Sequence, residues 1–230
     1  TLKQGESDYG LTFTAFQLHS VNGEDAKDIT IPNFIPEFHY HIGIGNNMEV
    51  GGRVALGSLL FELDFKYKFF ESMDKRTHMA IQPAVGYRAA FFIKGTNFNL
   101  PVIFTYDISP NFSLNLFAYT SYIKWESTDD DGDPSDPDYE PDDANYFAAN
   151  AVTAGAGIGF KYTGETFYFM PFIDVSRTVL SMDDAVDNDE LNITYTVFGI
   201  SFGWIGGREM KKLKQMDRKL DRIENKIDSL

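Results

Sequence analysis

Several features that would classify a chain of 230 residues are missing from this one. There is no cysteine, which excludes disulfides and a lipid anchor on an N-terminal cysteine. No stretch reaches the roughly 18 consecutive apolar residues of a membrane helix. Lys and Arg number 20 against 34 Asp and Glu, without a clustered basic face, so nucleic-acid binding is not expected. If this chain crosses a membrane, it must do so as a closed β-barrel, because every backbone group needs a partner inside hydrocarbon.

Alternation of apolar and polar residues is the main pattern that is present, and it is clearest between Leu59 and Phe69. Apolar side chains occupy every second position, and Leu60 with four charged residues occupies the others. Such a strand has one apolar and one charged face. The pattern recurs at about 8–18, 33–44, 48–57, 59–70, 79–91, 97–107, 112–125, 147–162, 166–180 and 191–204. It predicts an all-β, ten-stranded antiparallel up-and-down transmembrane β-barrel over residues 1–205.

The connections between these strands differ in length in a regular way. Tight turns are predicted at 45–47, 107–111 and 163–165, and longer polar segments at 22–31, 126–146 and 181–190. If the first strand runs outward, the tight turns face the periplasm and the long segments face the cell surface. The link 71–78 is an exception, since it is periplasmic and not short. Two of the long segments hold most of the acidity, which predicts acidic surface loops.

The last strand ends Gly199-Ile200-Ser201-Phe202-Gly203-Trp204. A glycine followed by two aromatic residues at alternate positions resembles the terminal-strand signal of bacterial outer-membrane β-barrels. The resemblance covers about eight residues and agrees with the strand pattern of the whole chain. It implies assembly in the bacterial outer membrane and contact with its lipid.

The polar strand faces predict a lumen that contains charges of both signs. A narrow barrel interior pairs such residues with one another, because buried charges need partners. The candidates are Glu37, Glu49, Arg53, Glu62, Asp64, Lys66, Lys68, Arg88, Lys161, Asp174 and Arg177. We therefore predict a structural or interaction barrel without catalytic residues. The alternative is a small-solute or ion channel.

Two further features concern the same polar faces. His39 and His41 lie on one face of a strand, where a polar lumen pair is favoured over a metal site. Gly155, Gly157 and Gly159 share a face of another strand. Glycines at alternate positions permit sharp curvature or the close approach of bulky lumen side chains.

The segment 126–143 holds ten carboxylates and no Lys or Arg. Its spacing partly matches an EF-hand calcium loop, but Pro134 stands where the glycine is needed, so a true EF-hand is not expected. Two alternatives remain, a solvated acidic loop and a looser calcium site. The candidate ligands of the calcium site are Asp129, Asp131, Asp133, Asp136, Asp138 and Glu140. No other cofactor is expected.

After Gly206-Gly207 the apolar spacing changes to three and four, which predicts a periplasmic helix over residues 206–230. Its heptad seam consists of Leu213, Met216, Leu220, Ile223, Ile227 and Leu230. In a parallel assembly Lys212 would meet Asp217 of a neighbouring chain. The seam predicts a homo-oligomer, with a trimer weakly favoured. The alternatives are an amphipathic helix that docks on its own barrel or on a periplasmic or outer-membrane partner, and a flexible tail.

Overall fold

The computed structural model describes residues 2–90, 93–127, 148–182 and 190–207. Within these ranges the backbone forms antiparallel strands, as the alternating pattern predicts. The strands are β1 Ser7–Val21, β2 Glu24–Gly43, β3 Met48–Ala55, β4 Leu60–Glu71, β5 Thr77–Ile81, β6 Ala84–Ala90, β7 Ile93–Ser109, β8 Phe112–Ser127, β9 Ala148–Thr163, β10 Phe167–Met182 and β11 Glu190–Gly206. A short 3-10 turn, Leu56–Ser58, precedes β4. None of the described residues forms a helix long and apolar enough to cross a membrane.

The strand pairing closes into a ring. Apart from β5 and β6, each strand pairs with its neighbours in the chain, and β1 pairs with both β2 and β11 from Ser7 to Val21. The pairing of β1 with β11 gives hydrogen-bond partners to the backbone groups of both strands, which would otherwise be the free edges of the sheet. The all-β antiparallel prediction is therefore confirmed for the described part of the chain.

The predicted strand 79–91 is divided in the structure. Both β5 and β6 pair with β4 on one side and with β7 on the other. The interruption lies at Gln82 and Pro83, where Pro83 has no N–H to donate to a ladder. The Pro83 carbonyl still accepts from Phe65 N–H at 3.0 Å, and Gln82 N–H donates to Pro101 at 2.9 Å. The two strands thus share one position in the ring.

The predicted long loop at 22–31 is wrong. Asn22 and Gly23 form a tight turn with positive φ at both residues (52° and 80°), and β2 begins at Glu24. Asn-Gly is the preferred pair for a type I′ hairpin turn, which requires this backbone conformation. The residues that follow this turn are polar, which is why a loop was predicted, but they form the first part of β2 and pair with β1.

The link between β4 and β5 is a compact turn that is stabilised by its own side chains. Ser72 N–H donates to the Thr77 carbonyl at 2.9 Å, and Lys75 adopts a left-handed φ of 59°. The Ser72 hydroxyl and the Arg76 N–H both donate to the Asp74 carboxylate. These hydrogen bonds lower the pKa of Asp74, because they favour its charged form.

Burial is inverted relative to a soluble protein. Large apolar side chains point outward and are exposed, as Leu63 (71%), Phe61 (56%) and Phe160 (55%) illustrate. Inward-facing polar residues are buried; they include Glu49, Glu62, Asp64, Asn97, Asp174 and Ser176. Exposed apolar and buried polar residues are the informative exceptions to normal burial. An apolar band around a polar interior is the arrangement of a barrel surrounded by lipid.

Candidate functional site

Pairs of inward-facing side chains from nearby strands meet above the glycines of the strands between them. His41 on β2 and Asp64 on β4 both lie opposite Gly51 of the intervening β3. His41 Nε2 and Asp64 Oδ2 are 2.9 Å apart, and a Cβ on Gly51 would overlap the His41 ring. The absence of a side chain on the middle strand therefore lets the outer two side chains touch.

Three more pairs follow the same rule. Asn97 on β7 donates to Glu62 on β4 at 2.9 Å across Gly86, and Tyr119 on β8 contacts Ser176 on β10 at 2.6 Å across Gly155. His39 on β2 reaches Tyr168 on β10 at 2.5 Å across two glycines on adjacent strands. We call the four lumen-bridging pairs: His41–Asp64, Glu62–Asn97, Tyr119–Ser176 and His39–Tyr168.

Two aromatic rings also pack against each other inside the barrel. Phe117 and Phe172 pack edge to face with ring centroids 6.2 Å apart. A Cβ on Gly157 would lie 2.5 Å from Phe117 Cζ and 2.6 Å from Asp174 Cβ. The glycine row of β9 thus permits the close approach of bulky side chains, one of the two roles that the sequence suggests.

An ion-pair network connects three adjacent strands inside the barrel. Arg53 on β3 donates to Glu37 on β2 and to Glu62 on β4, each at 3.1 Å. The Glu62 side chain is only 6% exposed and also accepts from Asn97. Arg53 therefore compensates two inward-facing carboxylates, one of which belongs to a lumen-bridging pair.

Asp174 lies in a different environment, without a cation in contact among the described residues. The Ser176 hydroxyl donates to it at 2.6 Å, and the Tyr119 hydroxyl lies 3.4 Å away. Asp174 and Ser176 are both buried. These three side chains form a packed polar cluster rather than an open catalytic arrangement.

A cavity of about 520 Å³ lies at the end of the lumen where the tight turns are located. Charged residues of both signs line it, and it is bounded by Leu2 and Glu6, Asp8, Glu49, Lys66, Lys68, His78, Asp107 and Lys161. Lys161 stands over the Tyr168 ring with 4.1 Å between Nζ and the ring centroid. Asp107 accepts from His78 at 2.9 Å and from Ser113 at 2.8 Å.

The segment Leu2–Glu6 covers part of this end. The Leu2 N–H donates to Glu49, and the Leu2 side chain packs in a buried cluster with Tyr168 and Ile205. Gly5 N–H donates to the Gly43 carbonyl at 2.8 Å, and Gly43 N–H donates to Glu6 at 2.9 Å. The segment is thus attached to the barrel by hydrogen bonds and by apolar contact.

Comparisons with known proteins rest on structure alone. No family model matches the chain, and no curated protein matches it. The chain is similar to bacterial outer-membrane β-barrel proteins.

Three solved structures illustrate this similarity. Ail of Yersinia pestis is 12% identical with a TM-score of 0.34, and the match covers 88% of this chain and 99% of that chain. The outer-membrane protease OmpT of Escherichia coli is 10% identical with a TM-score of 0.40, over 87% and 95% of the two chains. Neisserial surface protein A is 11% identical with a TM-score of 0.39, over 87% and 99%. Such values assign no role to any residue, so function depends on this chain's own side chains.

Ten of the eleven predicted lumen charges face the interior. Glu37, Arg53 and Glu62 form the network, and Asp64 and Asp174 contact polar side chains. Four line the cavity: Glu49, Lys66, Lys68 and Lys161. Arg88 lies opposite the inward-facing Leu60 and Gly95, and its Nε has no hydrogen-bond partner among the described residues.

The prediction that Arg177 faces the lumen is wrong. It is exposed on the outer surface of β10 and donates to Asn192 at 2.9 Å. Asp174 on the same strand faces inward. Successive strand residues alternate between faces, so two residues three positions apart cannot share one.

Sequence reasoning missed the neutral members of the lumen-bridging pairs, namely Asn97, Tyr119, Tyr168 and Ser176. Each lies on a polar strand face that the alternation indicates. Their partners, however, depend on the register between strands far apart in the chain. In the sequence, the glycines on the polar strand faces were the feature that could indicate where side chains of two strands meet.

Two groups of predicted residues lie outside the described part of the chain. The candidate calcium ligands Asp129, Asp131, Asp133, Asp136, Asp138 and Glu140 fall within 128–147. The helix residues Leu213, Met216, Leu220, Ile223, Ile227 and Leu230 fall within 208–230. Both sites stay predictions.

Gly43→Val is expected to displace the segment Leu2–Glu6 from the barrel, because a Cβ at this position would overlap the Lys3 carbonyl oxygen. The chain has no cysteine, so a single Ile205→Cys substitution can report exposure. We expect maleimide labelling of that cysteine to accelerate by about an order of magnitude. Gly45→Val is the matched control, since its nearest neighbour is 3.6 Å away. Equal labelling rates in the two variants would show that the segment does not shield Ile205.

Proposed function

We propose that this chain is a ten-stranded bacterial outer-membrane β-barrel with a closed lumen and a structural or interaction role. The observation that carries the proposal is the set of four lumen-bridging pairs above inward-facing glycines. Together with the Phe117–Phe172 contact, they place side chains from β2, β4, β7, β8 and β10 inside the barrel. A diffusion pore needs a continuous aqueous path, and we infer that these polar and aromatic contacts interrupt it.

The orientation follows from the connections. Tight turns at Gly45–Asn47 and Gly164–Thr166 lie at the same end as the segment Leu2–Glu6. The opposite end includes the short turn Asn22-Gly23, but it also has the two longest connections between strands, 128–147 and 183–189. Longer connections face the cell surface in outer-membrane barrels, so we assign this end to the cell surface. In this orientation the acidic segments 126–146 and 181–190 would be extracellular, and the helix predicted at 206–230 would be periplasmic and available for a partner or another copy.

No enzymatic activity is included in the proposal. The buried cluster of Asp174, Ser176 and Tyr119 has no histidine in contact among the described residues. Buried groups also give a substrate no access. Calcium binding by the acidic segment remains a separate prediction from its carboxylate spacing.

A small-solute channel is the second candidate, because charged residues of both signs line the cavity at the turn end. Planar-bilayer recordings separate the two candidates. We expect the unsubstituted protein to give no stable open currents, since the lumen-bridging pairs block the path. Stable currents on the order of one nanosiemens would contradict the closed lumen and favour the channel.

A widened variant provides the positive control for these recordings. Replacing Phe117, Tyr119 and Phe172 by alanine removes three large side chains from the interior and leaves the backbone pairing in place. We expect this triple variant to conduct while the unsubstituted protein remains silent. Silence in both, with the variant folded, would show that these three side chains are not the barrier.

A further inference from the structure

The interior of the barrel changes in character from one end to the other. Charged side chains line the cavity at the turn end, and the lumen-bridging pairs lie farther in. Toward the opposite end, the inward-facing positions become apolar. Strand register places six apolar side chains there: Phe16, Leu18, Ile123, Trp125, Leu180 and Ile193. We call these six side chains the apolar lining.

Alternation along each strand shows that the apolar lining faces inward. Ile123 and Trp125 continue on β8 from the inward-facing Tyr119 at every second position. Leu180 stands in the same relation to the inward-facing Ser176 on β10. The lining residues of β1 and β11 follow by cross-strand pairing, because directly paired residues share a face of the sheet.

Part of this inward apolar surface is uncovered. Phe16 is 37% exposed, and Ile31, which lies opposite Phe16 on β2, is 58% exposed. Both side chains face the interior, so lipid does not cover them. The Tyr195 ring packs beside Phe16 with the ring centroids 6.2 Å apart. Exposed apolar surface of this kind, inside the barrel, indicates a binding surface for an apolar group.

Arg88 lies at the border of the apolar lining. It is opposite Leu60 on β4 and Gly95 on β7, and Trp125 lies on the other side of Gly95. A Cβ on Gly95 would be 2.8 Å from the Trp125 ring, so this ring lies over the glycine that separates it from Arg88. The guanidinium group and the apolar lining are therefore neighbours across one strand.

The charge of Arg88 is not paired by contact. Among the described residues, no carboxylate lies within ion-pair distance of it, and Glu37 and Glu62 both contact Arg53 instead. The strongest charge–charge interaction of Arg88 is repulsion by Arg53, ahead of attraction by Glu62 and Glu37. A guanidinium in this environment suits a carboxylate, which can accept two parallel hydrogen bonds from it.

We propose that this end of the interior binds an amphiphile with a carboxylate head and a hydrocarbon chain. Arg88 holds the head, and the chain lies along the apolar lining. Charge complementarity at Arg88 selects the head, and the uncovered apolar surface selects the chain. The proposal goes beyond the closed-lumen role and does not depend on whether the lumen conducts, since the ligand enters and leaves at the end opposite the tight turns.

The two tryptophans of the chain can separate binding inside the barrel from partition into lipid. Trp125 faces the interior, whereas Trp204 is exposed on the outer surface. Trp204→Phe and Trp125→Phe therefore each leave one reporter for quenching by bromine. In lipid vesicles, we expect α-bromodecanoate to quench Trp125 saturably and unbrominated decanoate to restore its fluorescence. Quenching of Trp125 that rises without saturation, as at Trp204, would show lipid partition only and overturn the proposal.

Two further probes test the two parts of the ligand. The methyl ester of α-bromodecanoate lacks the charge, and α-bromopropionate lacks the chain. Each is expected to bind at least about tenfold more weakly, because a hydrogen bond between charged groups and the burial of several methylene groups each contribute at least that much. Equal binding of the ester would overturn the role of Arg88. Equal binding of α-bromopropionate would overturn the role of the apolar lining.

Substitution of Arg88 locates the site. In the Trp204→Phe chain, Arg88→Gln is expected to weaken binding of α-bromodecanoate at least about tenfold and to leave the ester within about twofold. Arg88→Lys keeps the charge but not the bidentate geometry, so it should give an intermediate loss and serves as the second test of the head group. The matched control, Arg177→Gln, removes an exposed arginine from the outer surface and should leave both ligands within about twofold. Equal losses in Arg88→Gln and Arg177→Gln would reduce the effect to net charge and refute the site. Unchanged binding in Arg88→Gln would refute it as well.

Discussion

Gly157→Val is expected to prevent stable folding of the barrel, whereas Ala156→Val on the same strand is expected to fold normally. A Cβ at position 157 would lie 2.6 Å from the Ile173 carbonyl oxygen and 2.5 Å from Phe117 Cζ. The carbonyl belongs to the neighbouring strand and cannot move without breaking the ladder between β9 and β10. Overpacking typically costs about 1–3 kcal/mol, and we expect the upper end of this range or more here because the backbone cannot give way.

Ala156 is the neighbouring residue of Gly157 and lies on the opposite face of β9. Its side chain is exposed on the outer surface, opposite Ala118 and Val175. The added methyl groups of valine would meet lipid or detergent there. The pair of variants therefore separates a lumen clash from any general effect of valine on β9.

Folding in detergent or vesicles can be read from the change in electrophoretic mobility on heating and from protection against protease. We expect the Gly157→Val protein to remain in its unfolded form under conditions where the Ala156→Val protein refolds. A smaller lumen substitution, Phe117→Ala in the Gly157→Val background, should recover part of the loss by removing one of the clashing groups. If Gly157→Val folds with unchanged stability, the close approach of Phe117 and Asp174 to β9 is wrong.

The strand positions were accessible to sequence reasoning because alternation is a local property. Between Leu60 and Phe69, the residues predicted to face lipid are exposed and the charged ones face inward. Arg177 shows the limit of the same rule, since grouping it with Asp174 ignored the period of two. Asn22-Gly23 shows another limit. The polar residues of the segment 22–31 suggest a loop, whereas the Asn-Gly pair indicates a two-residue turn, which the structure contains.

The lumen contacts were harder to predict because they depend on register between three or more strands. His39 and Tyr168 are 129 residues apart in the chain and meet only because Gly10 and Gly203 lie between them. Nothing in either local sequence indicates this pairing. The glycines on β9 did indicate where bulky residues could approach, but not that the approaching side chains would be Phe117, Tyr119 and Asp174.

Arg53→Met is expected to destabilise the barrel strongly, because it leaves Glu37 and Glu62 without their shared cation. Removing one member of a buried ion pair costs about 3–5 kcal/mol, since the remaining charge is uncompensated. The Arg53 side chain is 34% exposed, so water in the lumen screens part of this effect. We therefore expect a loss near the lower end of that range, about 3 kcal/mol, in urea unfolding from lipid vesicles.

The informative comparison adds Glu37→Gln and Glu62→Gln to the Arg53→Met chain. The glutamine at position 62 can still accept from Asn97, and no uncompensated charge remains in the network. We expect the triple variant to recover most of the lost stability, because replacing a whole buried ion network by neutral groups is often nearly neutral. Lys124→Met is the matched control on the outer surface, where the ion pair with Glu126 is half exposed and should contribute less than about 1 kcal/mol. A single variant as stable as the unsubstituted protein would mean that Arg53 does not neutralise these carboxylates. A triple variant as unstable as Arg53→Met would mean that the arginine acts through packing rather than through its charge.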